Sequence, residues 1–184
     1  RVLLPMISGR EEVRAARELI QATGAELRAE GHAIAAEVPL GAMIEVPSAA
    51  IALTGFIREV DFLSIGTNDL VQYLLAADRN NEFLGDLYSP LHPALLRLLH
   101  DVIRTGKRHG RPVTVCGEMA GDARFTPLLL ALGLEEFSLH TATLLEVRRA
   151  IRALDLGQLQ AQARALLRAG DRAGIERWMR ANAA

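Results

Sequence analysis

Neither charge dominates this chain. Its 21 basic and 22 acidic residues leave a formal net charge of −1, and because they are interspersed there is no electrostatic footprint for nucleic acid or for an anionic membrane surface. Long apolar runs are missing as well. A run such as 126–134 falls far short of the roughly 20 residues that a bilayer-crossing helix requires. Cysteine is nearly absent: Cys116 stands alone, so no internal disulfide can form. Nothing at the start has the layout of a secretory leader, and a reducing, cytoplasmic setting is expected. An initiator methionine is lacking too. The first residues, Arg1-Val2-Leu3-Leu4-Pro5-Met6, open directly on an apolar strand, which points to a segment of a longer protein. What is present in quantity is apolar material. A chain of 184 residues that is 50% hydrophobic and 23% charged can fill one ordinary domain with a substantial core.

The periodicity alternates between two kinds. A helix is predicted over 10–30, where Val13, Ala16, Leu19, Ile20 and Leu27 recur at helical spacing behind Ser8 as N-cap and Glu11 three residues on. A short apolar run at 41–46, stopped by Pro47, reads as a buried parallel strand, and 48–58 returns to helix. A strand at 60–65 is closed by Gly66-Thr67, and a short helix at 68–77 leads into a loop at 78–93. A helix follows at 94–109, a strand at 112–116, a helix at 122–133 capped by Asp122, and a last strand at 136–139. Helices at 144–154, 156–169 and 171–182 make up the tail. Counting the opening residues there are five strands, and strands alternating with helices imply parallel βαβ units. A doubly wound sheet and a barrel both fit that pattern.

Three successive strands end in groups able to do chemistry: Glu45 before Pro47, Asn68-Asp69 after Gly66-Thr67, and Cys116 before Gly117-Glu118. Parallel α/β folds build their sites at the carboxyl ends of strands, so these groups are expected to converge. Glu45 and Asp69 are two hard oxygen donors, and Mg²⁺ is commonly held by one or two carboxylates with water and substrate oxygens. The alternative is that Glu45 pairs with an arginine and Asp69 only caps the following helix. Arg79 follows closely enough to reach over the same place, where a guanidinium binds phosphate through paired hydrogen bonds, although most of the twenty arginines must lie on the surface. Asn68 has an amide to offer a phosphate or a turn to shape. Cys116 is either inert core or a thiol able to protonate carbon, since an ordinary thiol has a pKa of about 8.5. Gly117 and Gly121 beside it permit close backbone approach. Among the histidines, His92 shapes a loop, His100 and His109 sit on or near a helix end, and His140, after the last strand, could face the site.

Four segments, taken in order, carry a resemblance: GAMIEVP at 41–47, DFLSIGTNDLVQYLLAADRNN at 61–81, LYSPLHP at 87–93 and VCGEMAGD at 115–122. Together they resemble the carboxyl-terminal, phosphoenolpyruvate (PEP)-binding domain of Enzyme I of the bacterial sugar phosphotransferase system, a phosphoenolpyruvate-protein phosphotransferase within the PEP-utilising enzymes. The likeness runs from 3–7 to about residue 138. It implies an α/β fold, a partial (β/α)8 TIM barrel comprising its last five strands, over 1–154, with C-terminal helices at 155–184 packing on it. It also implies that Glu45 and Asp69 hold Mg²⁺, that Asn68 and Arg79 bind the phosphoryl group of PEP, with Asp69 beside them at the substrate, and that Cys116 protonates the enolate carbon as pyruvate forms. The reaction implied moves the phosphoryl group to an enzyme histidine and on to a histidine-containing phosphocarrier protein that feeds sugar uptake, in a homodimeric cytoplasmic enzyme.

Two departures accompany the resemblance. The threonine-serine-histidine motif that carries the phosphorylated histidine of the family is absent from the chain, as are the barrel's first three strands with their arginines. The chain alone is therefore expected not to complete the reaction. The barrels of pyruvate phosphate dikinase and PEP synthase carry similar signatures, but the run 74–81 with 87–90 looks more like Enzyme I. An alternative of another class is a non-catalytic dimerisation module.

Overall fold

The computed structural model describes residues 1–85 and 87–183. Asp86, in the expected 78–93 loop, and Ala184, at the end of the expected tail helices, lie outside the described residues. One sheet carries β1 (Val2–Leu4), β2 (Leu40–Ile44), β3 (Phe62–Gly66), β4 (Val113–Cys116) and β5 (Glu136–Phe137), every pair parallel and every strand beside its successor in sequence. A doubly wound sheet reverses its strand order at a switch point. This order never reverses, as in the wall of a (β/α) barrel.

Between and after the strands run α1 (Arg10–Ala29), α2 (Pro47–Ile51), α3 (Thr67–Leu75), α4 (Pro93–Arg108), α5 (Glu118–Gly121), α6 (Thr126–Ala131), α7 (Leu144–Ala153), α8 (Leu156–Arg168) and α9 (Arg172–Ala181). Three local expectations are corrected. The N-cap of α1 is Gly9 rather than Ser8, and Glu12, not Glu11, folds back to accept from the Gly9 and Ser8 N–H groups at 3.2 and 2.6 Å. The helix expected at 48–58 is α2 followed by two 3₁₀ turns, Leu53–Gly55 and Ile57–Glu59. There Leu53, Phe56, Ile57 and Val60 all have to be buried, and Gly55 lends the helix no support. At 122–133, Asp122 caps only a 3₁₀ turn by accepting from Arg124 N–H at 2.9 Å. The α-helix restarts at Thr126, because Pro127 has no N–H to give an earlier turn.

Alternation along the strands separates two faces of the sheet. Ala42, Ile44, Leu63, Ile65 and Val115 are fully buried under the helices. Gly106 brings α4 onto this face so closely that an added Cβ would fall 2.2 Å from Val113 Cγ2. On the opposite face lie Gly41, Met43, Phe62, Ser64, Thr114 and Cys116, of which Met43, Phe62, Thr114 and Cys116 are only partly covered. The tail helices extend the same core. Leu159 and Leu166 of α8 and Ile175 and Trp178 of α9 join one apolar cluster with the sheet-covering helices, α8 packing on α6 and α4.

Candidate active site

Strand register sets the site's layers. Met43, Ser64, Thr114 and Glu136 stand side by side across β2 to β5. One step nearer the carboxyl ends come Gly66 and Cys116, which are partners in register, and Glu45 beside Gly66. A Cβ added at Gly66 would lie 2.6 Å from Glu45 Oε2, so the carboxylate occupies space that only glycine leaves open.

Glu45 is 5% exposed. Its Oε1 accepts from Met6 N–H at 2.7 Å, with Met6 turning out of β1 at a left-handed φ of 55°. No arginine pairs with Glu45 among the described residues, and Oε2 accepts no hydrogen bond there. Asp69 is the third residue of α3, whose N-cap is Gly66. The capping alternative is thus not realised, although a carboxylate in the first turn suits the positive end of the helix. Asp69 instead faces Arg79 at 3.7 Å, both side chains about one-third exposed. Arg79 reaches back to the first turn of α3 through this contact with Asp69, and its own N–H bonds Gln72 Oε1 further along the same helix at 3.2 Å.

Asn68 is held from several directions. Its Oδ1 accepts from Glu118 N–H at 3.0 Å, its Nδ2 lies 3.5 Å from Glu118 Oε1, and its carbonyl accepts from the Tyr88 hydroxyl at 3.1 Å. Burial pushes the Tyr88 phenol above its ordinary pKa; the negative charge of Glu118 adds to this, Arg79 opposes it and Asp69 adds a little more. The phenol is therefore a neutral donor near pH 7. Beside Asn68, the buried Thr67 donates from its hydroxyl to the Cys116 carbonyl at 2.8 Å, tying the ends of β3 and β4 together. The Cys116 thiol lies 3.5 Å from Ser64 Oγ and 3.4 Å from the Ile65 carbonyl.

Glu45, Asn68, Asp69, Arg79 and Cys116 thus share the carboxyl end of β2 to β4. His140 is exposed just after β5, where its carbonyl accepts from Thr143. His92 caps α4, its Nδ1 accepting from Ala94 N–H at 3.2 Å. Ser64, Thr67, Tyr88 and Glu118 belong to the same cluster and were not anticipated as site residues. The available signal was proximity to quoted motifs: Tyr88 lies in LYSPLHP and Glu118 in VCGEMAGD. Among the described residues no group of three or more His, Cys, Asp and Glu side chains is gathered as a metal cluster. No helix among them is long and apolar enough to cross a membrane.

The family model for "PEP-utilising enzyme, PEP-binding domain" matches residues 1–156. The chain belongs to this family. It is 44% identical over 160 residues, 87% of its length, to the phosphoenolpyruvate-protein phosphotransferase of Streptococcus equinus, and 48% identical over 151 residues, 82% of its length, to that of Cupriavidus necator. The matched part is 28% of the first relative and 26% of the second, so the chain spans little more than a quarter of the curated relatives it matches. A crystal structure of a citrate lyase from Burkholderia xenovorans superposes with a TM-score of 0.57 at 20% identity, covering 97% of this chain and 61% of that one. That likeness concerns fold alone. With the unreversed parallel order it supports the expected partial (β/α) barrel, and the family match bears out the resemblance read from the four segments.

Proposed function

We propose that the chain forms the PEP-binding part of a phosphoenolpyruvate-protein phosphotransferase, with the strand-end cluster as one wall of its active site. The carrying observation is that Glu45, Asn68-Asp69 and Cys116 close three adjacent strands at the carboxyl end of the sheet, in a chain 44–48% identical to proteins of that name. The relatives reported are phosphotransferases, which favours this parent over pyruvate phosphate dikinase or PEP synthase. Residues 1–154 are read as barrel and 155–184 as helices packed on it.

Glu45 and Asp69 are the proposed Mg²⁺ ligands. Hard carboxylate oxygens suit that ion, and Glu45 presents one oxygen fixed by Met6 N–H and another without a hydrogen-bond partner among the described residues. When bound, Mg²⁺ would neutralise charge on the phosphate and enolate oxygens. Arg79 and the Asn68 amide hold the phosphoryl group in line for transfer, a reaction governed mainly by positioning and charge. As the P–O bond of PEP breaks, the phosphoryl group passes to a histidine outside this chain and the electron pair stays with the enolate. Cys116 then gives its S–H proton to the enolate carbon, completing pyruvate. The phosphoryl group moves on to a histidine-containing phosphocarrier protein serving sugar uptake in the cytoplasm.

The test is phosphohistidine formation from PEP by the full gene product. Glu45→Gln and Asp69→Asn are each expected to slow it by more than the roughly 10–100-fold typical of losing an outer partner of a metal ligand, and to weaken Mn²⁺ binding measured by electron paramagnetic resonance. A wild-type rate in either variant would remove that residue from the metal site. A second reading, homodimerisation through this region, is favoured by exposed apolar side chains: Phe83 is 98% exposed and Ile51 75%.

A further inference from the structure

The phosphate reading leaves Asn68 with an unusual number of constraints. Its Oδ1 is already occupied by Glu118 N–H at 3.0 Å. An amide oxygen and nitrogen differ in which partners they accept, and this bond settles the orientation: nitrogen is the end left to a ligand. One N–H of Nδ2 lies within 3.5 Å of Glu118 Oε1. Tyr88, reaching across from the segment before α4, holds the same residue by its carbonyl at 3.1 Å. Gly117 lets Glu118 come this close. Its φ is +90°, and a Cβ there would sit 2.7 Å from Asn68 Oδ1 and 2.6 Å from Thr67 Oγ1.

We propose that Glu118 and Tyr88 are positioning residues that fix the Asn68 amide with its nitrogen toward the phosphoryl group of PEP. Neither has to touch the substrate to matter. A free asparagine side chain samples rotamers and both amide orientations, and the wrong orientation would turn an oxygen toward an anion. Holding the backbone through Tyr88 and the amide through Glu118 removes that loss before the substrate arrives. Glu118 acts as a hydrogen-bond acceptor and through its main chain, so its charge is not what the role requires.

This inference rests on the proposed role of Asn68, and a double-mutant cycle keeps the two apart. PEP is titrated with Mg²⁺ into the full gene product by calorimetry. Tyr88→Phe is expected to weaken binding about fivefold, the ordinary worth of one hydrogen bond, and Glu118→Ala, which keeps the main-chain N–H and removes only the long side-chain acceptor, about threefold. Both losses are expected to shrink below about twofold on an Asn68→Ala background. Glu118→Gln, which keeps an acceptor, is expected to stay within about twofold of wild type. Equal losses in both backgrounds would overturn the inference, because the two residues would then act independently of Asn68. So would unchanged binding in Tyr88→Phe and Glu118→Ala while Asn68→Ala weakens it, an outcome that leaves the phosphate reading standing. If Asn68→Ala itself binds PEP as wild type does, both readings fall.

Discussion

At Gly117 the chain leaves β4 through a left-handed backbone conformation, with side-chain oxygens of Thr67 and Asn68 where a Cβ would go. Alanine there must accept unfavourable φ and push two site residues aside. Gly117→Ala is expected to cost about 1–3 kcal/mol of stability, read from thermal melts, and to weaken PEP binding beyond what the melt accounts for. For the thiol beside it, the proposed role predicts a division between steps. In Cys116→Ala, rapid-quench measurements should show pyruvate release slowed far more than phosphohistidine formation. Equal slowing of both would remove Cys116 as the acid acting at carbon.

Elements are held by contacts of a different sort. The N-terminal half of α1 is tied to the turn before β3 by Arg10 and Arg14, both paired with Glu59. Hydrogen bonds from Arg14, and then from Arg10, keep the Glu59 carboxyl below its ordinary pKa. Folding therefore gains from these pairs above the ordinary carboxylate range and loses that gain as pH falls through the lowered folded value. The pairs lie at the surface, where screening keeps the effect small. Protection against hydrogen exchange in the first turns of α1, taken relative to the intrinsic amide rate at each pH, should fall on acidification below about pH 4, and Glu59→Gln should show the lower protection already at neutral pH with a flatter pH response. Between α4 and β4 the constraint is steric. Gly106→Ala is expected to destabilise by about 1–3 kcal/mol through overpacking against Val113, measured by denaturant titration.

How well elements could be read in advance followed from how local their causes are. The helices at Arg10–Ala29 and Pro93–Arg108 have nearly the expected bounds, because their apolar periodicity lies within the segment itself, even though the cap of the first sits one residue later than expected. The segments at 48–58 and 122–133 broke into short turns because burial of Leu53, Phe56 and Ile57, and the place of Pro127, depend on what packs against them. Site residues divided along the same line. Glu45, Asn68, Asp69 and Cys116 stood out by ending strands, whereas Tyr88 and Thr67 matter only through partners twenty or more residues away, contacts that no local pattern displays.

At the scale of the whole molecule, the sheet formed by the described residues has two free edges and a partly covered face. Among those residues β1 and β5 each have one neighbouring strand. With Phe83, Ile51, Leu87 and Leu145 exposed, the isolated chain presents both strand edges and apolar side chains to solvent, a combination that favours association. Sedimentation velocity on the 184-residue chain is expected to show concentration-dependent dimers or larger species. A single monomeric boundary at high concentration would argue against the proposed homodimer as well as against edge pairing.

The alternation that sorts the strands into two faces also works as a reading frame. Ser64 and Gly66 face the site while Leu63 and Ile65 face the helices, so one residue inserted in the middle of β3 would exchange the assignments of everything beyond it. Apolar bulk would enter the site and a hydroxyl the core, with composition hardly altered. Substitutions at these positions are errors of a single letter. A one-residue insertion or deletion is a frameshift written in space, and libraries that vary this wall should tolerate the first far more often than the second.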